Sequence, residues 1–157
     1  MARSSTSSRA DNATRTLVVG YGNTLRGDDG VGVRVAEAVE SMALPGVHTL
    51  VCQQLAPEFA EPIARSDRVI FVDASVEQNA DTVELRPIAA SDSSQLMAHA
   101  ADPQTMLALA RDVFGGTPEA WWLTIPARDL SFGERFSTEA ASGFDRALAE
   151  IATLCSG

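Results

Sequence analysis

The sequence predicts an α/β fold: a single three-layer domain with a mostly parallel, five-stranded twisted sheet and helices on both faces. Three observations carry that expectation. Short β-branched and apolar runs alternate with segments of helical periodicity, the first run passes through a glycine-punctuated turn directly into a helix, and no repeat or internal linker interrupts the alternation. At 157 residues the chain suits one domain. A domain of that size buries about two-thirds of its unfolded surface without disulfides or structural metal. The Ser/Arg-rich residues 1–15 are expected to be a disordered tail, and residues 16–157 the domain.

Thr16 to Val19 opens the pattern as a buried strand, and Gly20 and Gly22 allow the sharp turn that follows. Val31, Val35, Ala38, Val39 and Met42 then recur at helical spacing. Val47 to Cys52 reads as the second strand, Pro57 to Arg65 as a short helix, and Arg68 to Val72 as a third strand ending at Asp73. Thr82 to Ile88 alternates Val83, Leu85 and Pro87 against Glu84 and Arg86, as a half-exposed strand near a sheet edge does, where proline is tolerated. Asp102 to Phe114 is helical, with Met106, Leu109, Ala110 and Val113 on one face. Trp121 to Ile125 is the fifth strand, and its adjacent tryptophans point to opposite faces. Ser137 caps a last helix with the stripe Phe144, Leu148, Ile151 and Cys155.

Composition closes several classes. All 12 basic residues are arginine, so a Walker lysine, a Schiff-base lysine and a Ser-Lys dyad are excluded together. A net charge of −9 disfavours nucleic acid and anionic membranes as partners and suits a protein or a cation. Cys52 and Cys155 form no CxxC pair and are expected to be buried reduced thiols. No apolar run reaches the roughly eighteen residues of a membrane span, and the start lacks a signal-peptide core, which points to a cytoplasmic protein.

The chemistry concentrates where the first strand meets its helix. Asp28 and Asp29 sit at the helix mouth, where one carboxylate can cap exposed N–H groups while the other points into the crevice. A dinucleotide site fits less well: Gly20-x-Gly22 is followed by Leu25 where the third glycine of GxGxxG belongs, and two carboxylates there repel a pyrophosphate while attracting a cation. In a parallel sheet the ligand site lies at the carboxyl ends of the strands, which brings Asp29, Asp73 and His99 into consideration together. His48 opens the second strand and is expected near the opposite edge. Two carboxylates and an imidazole suit nickel, zinc or another divalent first-row metal, with open positions for water or a second molecule. Gly20 to Gly30, Gln54 to Glu58 and Ala127 to Phe136 are candidate walls of the cleft, and Asn23, Arg26, Gln54 and Glu58 are candidate substrate contacts. No GxSxG elbow is present, and neither cysteine has a nucleophile's context.

Gly20-Tyr-Gly-Asn-Thr-Leu-Arg-Gly-Asp-Asp-Gly-Val-Gly32, Val72-Asp73-Ala74, His99 followed by Pro103-Gln-Thr-Met-Leu-Ala-Leu-Ala110, and Phe132-Gly-Glu-Arg-Phe-Ser137 together resemble the NiFe-hydrogenase maturation proteases. The resemblance runs over nearly all of the chain from Thr16 onward. It implies a cytoplasmic, aspartic-type endopeptidase that removes the C-terminal extension of the hydrogenase large-subunit precursor after nickel insertion. It also implies that Asp29 and Asp73 are the catalytic, nickel-recognising acids and His99 the third ligand, with nickel supplied by the precursor and other divalent metals able to occupy the site. Asp29 stands where some relatives use Glu, about one methylene shorter in reach. Two other readings share these ligands: a non-cleaving nickel-sensing accessory protein and a generic metal-dependent amidase.

Overall fold

Strand β1, Thr16–Tyr21, is buried along its whole length. The structure is a computed structural model describing residues 14–77, 82–92 and 102–156. After β1 come a 3-10 turn at Gly27–Gly30, helix α1 at Val31–Met42, strand β2 at Val47–Cys52, a second 3-10 turn at Pro57–Phe59, and helix α2 at Ala60–Ala64. Strand β3 (Arg68–Ser75), strand β4 (Glu84–Ile88), helix α3 (Pro103–Phe114), strand β5 (Glu119–Pro126) and helix α4 (Thr138–Ser156) complete the order. The five strands lie in the order β2-β1-β3-β5-β4. Three of the pairings are parallel, and only β4 runs antiparallel, against β5.

Period-two alternation divides the core between the sheet's faces. Leu17, Val19 and Tyr21 of β1, with Val69 and Phe71 of β3, pack with Ile63, Met106 and Leu109 of α2 and α3. Val18, Ile70, Val72, Leu123 and Ile125 pack on the other face against Val31, Val35 and Val39 of α1 and Ile151 of α4. Trp122 joins the first cluster and Trp121 the second, as adjacent residues of a regular strand must. The three-layer arrangement is the one the sequence predicts.

Strand β1 has β2 on one side and β3 on the other, while the connections through α1 and α2 cover opposite faces. The strand order therefore reverses beside β1, which opens a crevice at the carboxyl ends of β1 and β3. Two glycines bring the α1 terminus down onto that crevice. A Cβ at Gly20 would strike the Gly32 carbonyl, and one at Gly32 would strike the Val72 carbonyl, so helix and strands meet backbone to backbone.

Several boundaries differ from the sequence reading for local reasons. The segment expected as one helix from Pro57 begins as a 3-10 turn, with Pro57 in its first turn, and becomes α-helical only at Ala60. Strand β3 runs through Asp73 to Ser75 because β5, itself longer than expected, pairs with it to Pro126. Strand β4 starts at Glu84. Met42 and Val113 leave their expected apolar faces and are exposed, while Ala36 takes a buried place on α1. Cys52 and Cys155 are free thiols, half-buried and not fully buried. Residues 1–13 of the expected tail lie outside the described residues.

Gly32→Ala should lose about 3 kcal/mol or more in chemical denaturation, because the new Cβ meets backbone that cannot rotate away. Gly115→Ala should cost only about 1 kcal/mol, because its left-handed φ of 73° is strained for alanine but nothing lies within 4 Å of the added carbon.

Candidate functional site

The helix-mouth carboxylates divide their work, though not as caps of α1. Asp28 is fully buried and accepts four hydrogen bonds from the loop that follows β5. Its Oδ2 takes the Arg128 N–H at 2.7 Å, the Asp129 N–H at 2.9 Å and the Ser137 hydroxyl at 2.6 Å, while Oδ1 takes the Ser137 N–H at 2.7 Å. Burial pushes this carboxyl up, but the hydrogen bonds, the Ser137 hydroxyl first among them, outweigh it and hold the pKa below the ordinary 3.8. Ser137 Oγ also accepts the Ala140 N–H at 3.1 Å, so the expected cap of α4 is present and is itself clamped by Asp28.

Backbone pairing reinforces this clasp. Gly27 N–H donates to the Gly133 carbonyl at 2.8 Å, Gly133 N–H to the Leu25 carbonyl at 2.7 Å, and Asp28 N–H to the Asp129 carbonyl at 2.8 Å. Two of the walls expected from the sequence, residues 20–30 and 127–136, are thus one joined unit. Leu25, Leu130 and Phe132 stand exposed on it, with Phe132 82% accessible.

Asp29 is the carboxylate left for the crevice. Its Oδ2 accepts the Asn23 N–H at 2.8 Å, and Asn23 Oδ1 accepts the Leu25 N–H at 2.9 Å, so Asn23 builds the loop that carries Asp29. Gly22, at φ 139°, lets the Asp29 carbonyl approach where a Cβ would collide. Asp73 lies on β3, one residue beyond the Gly20–Val72 pair, next to the end of β1. The Tyr21 hydroxyl donates to Asp73 Oδ2 at 3.1 Å. Burial pushes Asp73 up to about 6; hydrogen bonds from Tyr21 and the Ala74 N–H act against this, and the negative charge of Asp29 adds to it. Asp29 and Asp73 therefore share one electrostatic environment. Both offer only oxygen, and a divalent cation held by them would offset their negative charge, so the donor chemistry fits such a cation.

The remaining candidates separate. His48 is exposed and pairs with Leu17 near the amino end of β1, away from the crevice as expected. His99 lies outside the described residues; the helix after it is capped by Asp102, which accepts the Gln104 N–H at 2.8 Å and whose charge reaches Tyr21. Among the described residues no group of three or more His, Cys, Asp or Glu side chains is placed to hold a metal. Arg26, Gln54 and Glu58 are exposed. Glu58 helps raise the Cys52 thiol, which burial first of all pushes up to about 11, leaving it protonated and weakly nucleophilic at neutral pH. Cys52, Val51, Leu25 and the Gly22–Thr24 turn line a depression of about 270 Å³ beside the site. Sequence reasoning misses Tyr21, because its contact with Asp73 depends on the register of two strands 52 residues apart.

No protein-family model matches the chain, and no curated protein matches it. Its fold is shared with solved structures of hydrogenase maturation enzymes. It superimposes on the hydrogenase maturating endopeptidase HybD from E. coli with a TM-score of 0.72 at 22% identity, over 89% of this chain and 91% of that one. For the [NiFe] hydrogenase maturation protease HybD from Thermococcus kodakarensis the TM-score is 0.70 at 20% identity, over 90% and 99%. For HycI from Thermococcus kodakarensis KOD1 it is 0.68 at 22% identity, over 96% and 99%. Among the described residues no helix is long and apolar enough to cross a membrane.

Asp28→Ala should lower stability by about 3 kcal/mol, since it leaves three N–H groups and a hydroxyl without their acceptor. Asp73→Asn should do the reverse. The folded carboxyl, at about 6, binds its proton more tightly than the ordinary 3.8, so the native state holds more protons between those values and stability falls as pH rises through them. The metal-free Asn variant should therefore melt above wild type at pH 7, by on the order of 1–2 kcal/mol, and the gap should close as pH is lowered toward 4.

Proposed function

We propose that this protein is an endopeptidase that removes the C-terminal extension of the NiFe-hydrogenase large-subunit precursor after nickel insertion. The observation that carries this reading is the pairing of Asp29 and Asp73 at the strand-order reversal of a fold shared with hydrogenase maturation proteases. A crevice with two acids beside a thiol held protonated suits recognition of a cation better than acyl-enzyme chemistry. The nickel belongs to the precursor and is read as part of the substrate.

In this reading Asp29 and Asp73 supply oxygen ligands and His99 the imidazole. Nickel borne by the precursor and held by these residues would supply Lewis-acid polarisation of the scissile carbonyl or of a water. A proton-sharing carboxylate pair, with oxygens about 3 Å apart, is the less suited arrangement, because a cation between the two keeps both ionised. The chain's own task is to hold the two carboxylates in place and to bring the cleavage segment against them. The clasped loops serve the second purpose: they are fixed to one another, and their exposed Leu25, Leu130 and Phe132 give a polypeptide an apolar footing beside the acids. Arg26, Gln54 and Glu58 are positioned on exposed turns as further contacts, and the setting is the cytoplasm.

Asp29→Asn and Asp73→Asn, each folded, should abolish cleavage of nickel-loaded precursor as read by mass spectrometry, since the amide keeps the shape and loses the charge. His99→Ala should weaken or abolish cleavage, while His48→Ala should leave it within about twofold. Metal-stripped enzyme should cut the nickel-loaded precursor and leave the nickel-free one intact. Efficient cleavage of the nickel-free form would exclude the checkpoint and indicate an ordinary peptidase, and an unshortened loaded precursor would indicate a sensor that does not cut.

A further inference from the structure

Tyr21 is buried, 8% accessible, yet its hydroxyl lies at the open end of β1. Leu17 and Val19, its partners in alternation, are pure packing residues on the same face, so an aliphatic residue at position 21 would continue the pattern without a polar group to satisfy. The hydroxyl instead reaches across to β3 and donates to Asp73 Oδ2 at 3.1 Å. On the same face Trp122 of β5 presents a buried indole N–H that makes no hydrogen bond among the described residues, and it approaches closely enough to favour negative charge on the Tyr21 oxygen. Three neighbouring strands thus contribute one residue each to one group, with the crevice carboxylate on the strand between the other two.

We propose that Tyr21 is a positioning residue: its hydroxyl pins Asp73 Oδ2 so that the carboxylate turns its other oxygen toward the crevice shared with Asp29, ready for a divalent cation. This rests on the metal-reading role of the site given above. A carboxylate on a single Cβ rotates freely unless one oxygen is tied, and an orienting hydrogen bond from outside the ligand set is worth 10- to 100-fold in metal affinity on the order of magnitude of known cases. Asp29 is tied in the same manner, through Oδ2 to the Asn23 N–H. Asp29 is thus held through a backbone donor, and Asp73 through the Tyr21 hydroxyl beside the Ala74 N–H; of these donors only the hydroxyl can be removed by substitution.

The test uses full-length Tyr21→Phe, which keeps the ring and its packing. Binding of Co²⁺ alone, followed by calorimetry on wild type, Tyr21→Phe and Asp73→Asn, reads orientation without catalysis: about tenfold weaker binding in the Phe variant at near wild-type melting temperature is expected. Steady-state cleavage of the nickel-loaded precursor should show KM raised about tenfold with kcat within twofold, the mark of lost ground-state binding. Unchanged Co²⁺ affinity and unchanged KM in a folded Tyr21→Phe protein would overturn the proposal, and so would a fall in kcat at constant KM, which would place Tyr21 in the chemical step. If wild type fails to cleave while Co²⁺ affinity still falls in the Phe variant, the protease reading fails and the positioning role stands.

Discussion

The buried carboxylate of Asp28 is the constraint on which the rest of the site depends. A charge removed from water is tolerable only when its oxygens are fully engaged, and here the donors come from residues 100 to 109 positions further along the chain. Satisfying Asp28 therefore forces the turn after β1 and the loop after β5 into one fixed relation. Everything functional hangs on that relation: the orientation of the neighbouring Asp29, the start of α4 at Ser137, and the apolar tips that stand beside the crevice.

Around that anchor the site is built with opposing electrostatic choices. Asp28 has many donors and keeps its charge cheaply, whereas Asp73 has few and is held half out of water next to a second acid. Adjacent segments of one crevice thus contain a carboxylate that stabilises the fold and one that strains against it. The distinction follows from hydrogen-bond supply: burial raises both carboxyls, and only Asp28 has enough donors to outweigh it.

Much of the fold was legible in the sequence because its strands are short, apolar and separated by strong turn signals. Strand β2 occupies Val47–Cys52 as read, and Ser137 caps the last helix as its position before the apolar stripe suggests. The ends of β3 and β5 were not legible, because each is prolonged by pairing with the other. At the helix mouth the sequence announced two carboxylates with different tasks, but which takes which depends on Ser137 and Arg128, distant residues that no local pattern links to Asp28. Asn23 illustrates the same limit from the other side: its side chain serves the turn, a use that an exposed polar residue in a cleft wall does not advertise. Strand order, which brings Asp73 beside Tyr21, is a property of the assembled sheet.

The single antiparallel strand among those described has a consequence for how the molecule meets other chains. Strand β4 carries Pro87 and sets exposed Glu84 and Arg86 along the margin of the sheet. A strand arriving from a neighbouring molecule finds there an interrupted row of donors and a pair of charges, a poor template for further growth. Pro87 and these charges thus blunt that margin against sheet-to-sheet polymerisation, and the protein can expose apolar side chains at its loop tips without that edge also inviting aggregation.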